Sequence, residues 1–287
     1  MTNKFKGLKE AFIPAILIVV VPTTILGFLL SGSGNLLLLI EGIYLIILVD
    51  ILANVINNYS DWQIDIRNKK RMAMHKAFSR QQLLWIYVAL LLIIYISMFI
   101  FSSNIYLIAV VTIFVLLGIL YSAGTKLKDK AFVNYLTIAI AYAGVSSAIG
   151  FFSGSSSIAL FARWLPLILF LMLVDLGYSM TKDYSDILGD KEHGKRTLPV
   201  VFGKGRAVKI QLTFVTVAYA FLIVMVAAGI LNPAFLVLLV SYLFALYILN
   251  AVNKTTDRRI EERMHFNSQR NGLFVRALII VLLLLLM

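Results

Sequence analysis

Nine apolar runs, at residues 11–31, 35–57, 84–102, 104–122, 132–153, 158–182, 208–229, 231–251 and 272–287, constrain this chain first. Most have about the 20 residues that a helix needs to cross a bilayer. Lipid offers no partner to a bare N–H or C=O, so only helices carry such runs through it. The last run is short unless it begins before Gly272. The first is long for a signal peptide and lacks a small-residue cleavage site, so it counts as a span. Of 287 residues, 61% are hydrophobic and 14% charged, which excludes a water-soluble domain. The sequence predicts an all-α membrane protein of nine transmembrane helices, one polytopic domain over residues 1–287.

Charge gives the orientation. The connecting segments alternate between short uncharged ones (SGSGN, SSN, SGSSS, LNP) and long basic ones. Of the 26 Lys and Arg residues, only Arg163 falls near the uncharged side. The positive-inside rule then puts the N-terminus and the long loops in the cytoplasm of a multi-pass cell-membrane protein. Arg276, just inside the last run, is read as snorkelling to that same side. The net charge of +12 is thus a topology signal, and nucleic acid is not a partner. With no Cys, the chain has no disulfide, thiol nucleophile or thiolate metal site.

Two polar stripes interrupt the apolar runs. Asp50, Asn54, Asn57, Asp61 and Asp65 fall on one helical face, and Asp175, Ser179, Lys182, Asp186 and Asp190 repeat them 125 residues later. The offset implies a four-helix internal repeat, helices 1–4 and 5–8, around a central cavity. Asp61/Asp65 and Asp186/Asp190 each present two carboxylates on adjacent turns. Four carboxylates on one cavity need cations, and hard oxygen ligands suit Mg²⁺ with substrate phosphates. Basic residues adjoin them: Arg67, Lys69, Lys70 and Arg71; Lys191, Lys195 and Arg196; and Lys126 and Lys128 after Tyr121-Ser122. Carboxylates, metal and cations together describe a diphosphate site. Asp50 lies about 22 Å from Asp65 along a helix axis, too far to share a metal. Asp50 and Asp175 are therefore read as hydrogen-bonded carboxyls tying the repeat halves together.

Asn57-x3-Asp61-x3-Asp65, Lys182-Asp183-x2-Asp186-x2-Gly189-Asp190 with GKRTLPV, and Tyr121-Ser122-x3-Lys126 resemble the signatures of UbiA-type intramembrane prenyltransferases. The resemblance covers essentially the whole chain. It implies transfer of an isoprenoid from a prenyl diphosphate to a lipophilic or aromatic acceptor, of quinone-precursor or glyceryl-phosphate type. By that resemblance Asn57, Asp61, Asp65, Asp186 and Asp190 are catalytic, and the four aspartates hold Mg²⁺. Tyr121, Ser122, Lys126, Arg67, Lys182, Asp183, Lys195 and Arg196 bind substrate, and the tail lies in a tunnel open to membrane lipid. Tyr44, Tyr59, Phe114 and Tyr142 are candidates to face an allylic cation. Asn58 stands where many members have Asp, which removes one ligand, and NKKRMAMHKAFS replaces the usual NxPxRPLPSG. A UbiA-type terpene cyclase shares both Asp motifs; a secondary transporter is the alternative from another class. His75, His193 and His265 are read as solvated loop residues. Residues 254–270 are read as a surface helix or a cap over the site.

Overall fold

The computed structural model describes residues 3–12, 17–67, 71–101, 104–192 and 194–286, without the side chains of 3–5, 64 and 67. Among these residues the regular structure is helical: α1 Asn3–Phe12, α2 Leu17–Leu30, α3 Leu36–Ser60, α4 Trp62–Arg67, α5 Met72–Ala77, α6 Arg80–Phe101 and α7 Ile105–Ser122. There follow α8 Val133–Ala139, α9 Ser146–Gly154, α10 Ile158–Ser179, α11 Ile187–Glu192, α12 Leu198–Phe202, α13 Lys204–Ala227, α14 Leu239–Lys254 and α15 Arg258–Leu286. Among the described residues eight helical segments are long and apolar enough to span a membrane, nine if Lys6–Phe12 and Leu17–Leu30, bent by 47°, count as one span.

The uncharged loops start the helices that follow them. Asn35, Asn104, Ser157 and Asn232 each accept a hydrogen bond from a first-turn backbone N–H, at 3.0, 3.1, 3.2 and 2.9 Å. These donors have no partner inside the helix, so an uncharged polar cap suffices on this face.

The span formed by α8, a π turn at Ile140–Val145 and α9 is buried on most of its surface. Its small residues allow neighbours to approach closely, the usual basis of helix packing in lipid. A Cβ added at Gly150 would lie 1.8 Å from the Thr24 carbonyl oxygen, and one at Gly27 would lie 1.9 Å from that of Ser147. Helices α2 and α9 therefore touch backbone to backbone, with Thr24 Oγ1 donating to Ser146 O at 3.2 Å.

Residues 258–286 form one helix, so the last span begins before Gly272 and the polar stretch from 258 to 270 is continuous with it. Several polar side chains of its first half have partners inside the bundle. Lys204 donates to Glu261, Thr181 and Ser268 hydroxyls meet at 2.7 Å, and Asn271 donates to Tyr178 Oη at 2.7 Å. Arg276 does not snorkel. It is fully buried, its Nη2 is 2.6 Å from Asp175 Oδ2, and its Nε donates to Thr23.

Candidate active site

Both stripes leave their long helices at the basic-loop face. Helix α3 stops at Ser60, and Asp61 caps it with φ −88° and ψ 4°, its N–H on the Asn57 carbonyl at 2.9 Å. The chain turns again at once, so Asp65 N donates to Asp61 O at 2.8 Å. On the other side α10 tightens into a 3-10 turn at Met180–Asp183, and Asp190 N donates to Asp186 O at 2.8 Å. Asp61, Asp65, Asp186 and Asp190 thereby line a single cavity of about 280 Å³.

Each of these four carboxylates has one cation beside it. Lys128 Nζ is 2.6 Å from Asp61 Oδ1 and 2.8 Å from Asn57 Oδ1. Arg71 Nη1 is 2.6 Å from Asp65, Lys195 Nζ 3.1 Å from Asp190, and Arg258 Nη2 3.6 Å from Asp186. Burial lowers the Lys128 pKa, with Asp61 acting against it. For Lys195 burial acts the same way, but Asp190, with Asp129 and Asp61, together outweigh it and the pKa is raised. The pairing balances four negative charges that would otherwise repel one another across a small cavity.

The donor set is all hard oxygen, which fits Mg²⁺. Among the described residues no three acidic or histidine side chains converge on one point. An ion here would take one or two carboxylates and fill its shell from phosphate and water, the usual manner of Mg²⁺.

The other residues singled out from sequence divide. Tyr121 Oη donates to Asn134 at 2.9 Å and accepts from Lys182 Nζ at 3.1 Å, and both Tyr121 and Lys182 line the cavity. Ser122 is buried and donates to Asn57 Oδ1 at 3.3 Å. Asp183 lines the cavity but accepts a hydrogen bond from Tyr135, whose oxygen also receives Leu198 N at 3.3 Å. Lys126 is exposed and outside the cavity, because its left-handed backbone (φ +46°) opens the 3-10 turn that carries Lys128 inward. Arg196 is also exposed, and its contribution is a backbone bond, Arg196 N to Asp129 O at 3.0 Å. That bond holds the Lys128 loop beside the Lys195 loop. The Arg67 side chain, Lys69, Lys70 and His193 lie outside the described residues.

Three readings change. Asn58 is not a vacant ligand position: it points away from the cavity and donates to Ala11 O at 3.3 Å. His75 is not solvated. Both its ring nitrogens are buried without a partner among the described residues, and its ring meets Trp62 edge-on at 4.2 Å. His265 belongs to α15, pairs with Thr181 Oγ1 at 3.1 Å and lines a cavity. Arg258 is not among the residues singled out from sequence, although it belongs to the 254–270 stretch read as a surface helix or a cap, since it lies 72 residues after Asp186.

The polar cavity continues into the apolar bundle along two arms, and Tyr121 lines all three spaces. One arm, of about 220 Å³, runs between α3, α7 and α8 and reaches Asp50. The other, of about 390 Å³, runs past Val19, Asp175 and Gly272. Phe114 lines the first arm and Tyr142 lines both. Tyr44 and Tyr59 line neither: Tyr44 Oη is 3.1 Å from Ser97, and Arg80 sits 4.4 Å over the Tyr59 ring. A groove of about 830 Å³ on α14 and α15 contains none of the carboxylates.

The family model described as "UbiA prenyltransferase family" matches residues 20–271. A digeranylgeranylglyceryl phosphate synthase from Thermococcus gammatolerans is 29% identical over 222 residues, 71% of this chain and 73% of that protein. The enzyme of the same name from Pyrococcus furiosus is 35% identical over 181 residues, 61% of each chain. A UbiA homologue from Archaeoglobus fulgidus, solved with GPP and Mg²⁺, superposes with a TM-score of 0.70 at 15% identity, covering 97% of this chain and 99% of its own. That likeness is one of fold.

Proposed function

We infer that this chain, which belongs to the UbiA prenyltransferase family, transfers an isoprenoid from a prenyl diphosphate to a lipophilic or aromatic acceptor. One observation carries the reading: four carboxylates, each with its own cation, surround a polar cavity that adjoins two arms reaching into the helix bundle. A diphosphate at the polar end and a hydrocarbon in an arm satisfy both halves at once.

Asp61, Asp65, Asp186 and Asp190, with Asn57 beside them, would hold Mg²⁺, one or two carboxylates to an ion. Mg²⁺ held there would supply a Lewis acid for the diphosphate oxygens, which favours departure of diphosphate from the allylic carbon. Lys128, Arg71, Lys195 and Arg258 would shift from carboxylate to phosphate oxygens and neutralise the leaving group. Lys182, fixed by Tyr121, adds a further positive charge where the arms meet the polar cavity. The apolar arms keep water from the allylic cation, which water would otherwise capture. The acceptor belongs to the quinone-precursor or glyceryl-phosphate class. The site-bearing loops and the N-terminus lie on the cytoplasmic side of the cell membrane, as the basic loops argue.

Purified protein given Mg²⁺ and a panel of prenyl diphosphates, with and without acceptors, tests the reading. A prenylated acceptor that disappears with EDTA, Asp61→Ala or Asp186→Ala is expected. A cyclic hydrocarbon formed without any acceptor would overturn transfer in favour of cyclisation.

A further inference from the structure

Asp50 and Asp175 occupy matched positions in the 125-residue offset, and the chain treats them differently. Asp175 is neutralised by Arg276, itself anchored on Thr23 and Gly272. Asp50 is only 3% exposed, and its Oδ2 has no hydrogen-bond partner. It lines the smaller arm, in which it is the only charged residue among those described.

A buried acceptor oxygen without a donor is costly even when neutral. A structural carboxyl in this fold is given a partner, as Asp175 shows. An isoprenoid tail in the smaller arm would leave Asp50 facing hydrocarbon, the least favourable surroundings for it. An anionic group there would meet a carboxylate with no cation between them. A hydroxyl or amine would satisfy the oxygen. We propose that Asp50 is a specificity-determining residue: the smaller arm seats the acceptor, whose deep end donates a hydrogen bond to Asp50 and carries no negative charge.

Roughly seven residues, or about 10 Å of helix, separate Asp50 from Asn57 at the polar cavity. An acceptor held at Asp50 therefore reaches the reaction centre only with its other end. The tail of the prenyl diphosphate is left to the larger arm, where Asp175 is already paired with Arg276 and Lys182 with Tyr121. A phosphate-bearing acceptor would have to keep its phosphate at the cationic rim, away from Asp50. The inference rests on the prenyltransferase reading, and the experiment separates the two.

Two probes of matched shape differ in charge at one end: 4-hydroxybenzamide, neutral and donating, and 4-hydroxybenzoate, an anion. Their affinities are measured on the full chain in nanodiscs, with geranyl diphosphate and Mg²⁺ present. The wild type is expected to hold the amide about tenfold or more tightly than the acid, since like charges across a site cost several kcal/mol. Asp50→Asn should narrow the ratio to about twofold, and Asp50→Lys should invert it. Equal wild-type affinities, a ratio that survives Asp50→Asn, or binding of neither probe to protein that does bind geranyl diphosphate would each overturn the assignment. Failure to bind geranyl diphosphate at all is a different result, and it removes the prenyltransferase reading on which the assignment rests.

Discussion

Arg276 Nη2 lies 2.6 Å from Asp175 Oδ2 inside the helix bundle, with the arginine fully buried. The pair joins α10 to α15, and the Arg276 bond to Thr23 brings in α2. Removing one partner leaves an uncompensated charge in a low-dielectric interior, at a cost of about 3–5 kcal/mol. Arg276→Met and Asp175→Leu should each lower the thermal midpoint in detergent by many degrees. The double variant should recover most of the loss, because replacing both charges with apolar groups removes the desolvation cost as well. A double variant as unstable as the singles would show that the pair contributes more than mutual neutralisation.

Lys128, not Lys126, is the cation on the first acidic pair. Lys128→Ala should reduce kcat/KM for the prenyl diphosphate by about 10²-fold, the scale expected for losing one oriented charge at a leaving group. Lys126→Ala, exposed and off the cavity, should stay close to wild type. Steady-state kinetics on the two variants decides between them, and a loss confined to Lys126→Ala would reverse the assignment.

The pH profile follows from the same lysine. Burial lowers the Lys128 pKa, so its charge is lost below the pH at which a free lysine titrates, about 10.4. Binding of a diphosphate needs the charged form, which is the form present below that pKa. The alkaline fall in kcat/KM should therefore begin below about pH 10.4. Lys128→Arg, which keeps its charge throughout, should move that limb to higher pH. A limb that stays in place would assign the loss to another group.

What the sequence made legible was whatever depends on spacing along one helix. The offset between the two stripes placed Asp61, Asp65, Asp186 and Asp190 on one cavity without any knowledge of the bundle. What it hid depends on which face a residue turns, or on a distant partner. Lys126 and Lys128 are both lysines near the site, and only the left-handed turn at Lys126 decides which enters. Arg276 reads as a snorkelling residue until Asp175, 101 residues away, is found beside it. The start of α15 looks too polar for a span because a hydropathy window does not see Tyr178, Ser241 or Lys204 accepting or supplying its hydrogen bonds. Asn58 looked like a lost ligand because a resemblance compares residue types at a position and does not say that α1 packs against that edge of α3.

That edge carries the last expectation. Asn54 and Asn58 donate to the Ala11 carbonyl at 2.7 and 3.3 Å, which fixes the end of α1 against α3. From there Glu10 Oε2 accepts Met74 N at 3.0 Å, satisfying a first-turn donor of α5. Arg71, at the start of α5 with φ +48°, pairs with Asp65 at 2.6 Å. The chain of contacts runs from the first helix through α5 to one wall of the polar cavity. Glu10→Ala removes a helix-capping acceptor, worth about 1 kcal/mol, or about a fivefold change in how often α5 is in place. KM for the prenyl diphosphate should rise by about that factor, while kcat and the thermal midpoint change little. Glu10→Gln, which keeps an accepting oxygen, should restore most of the affinity. If Glu10→Ala instead lowered kcat with KM intact, α1 would not act through the placement of Arg71.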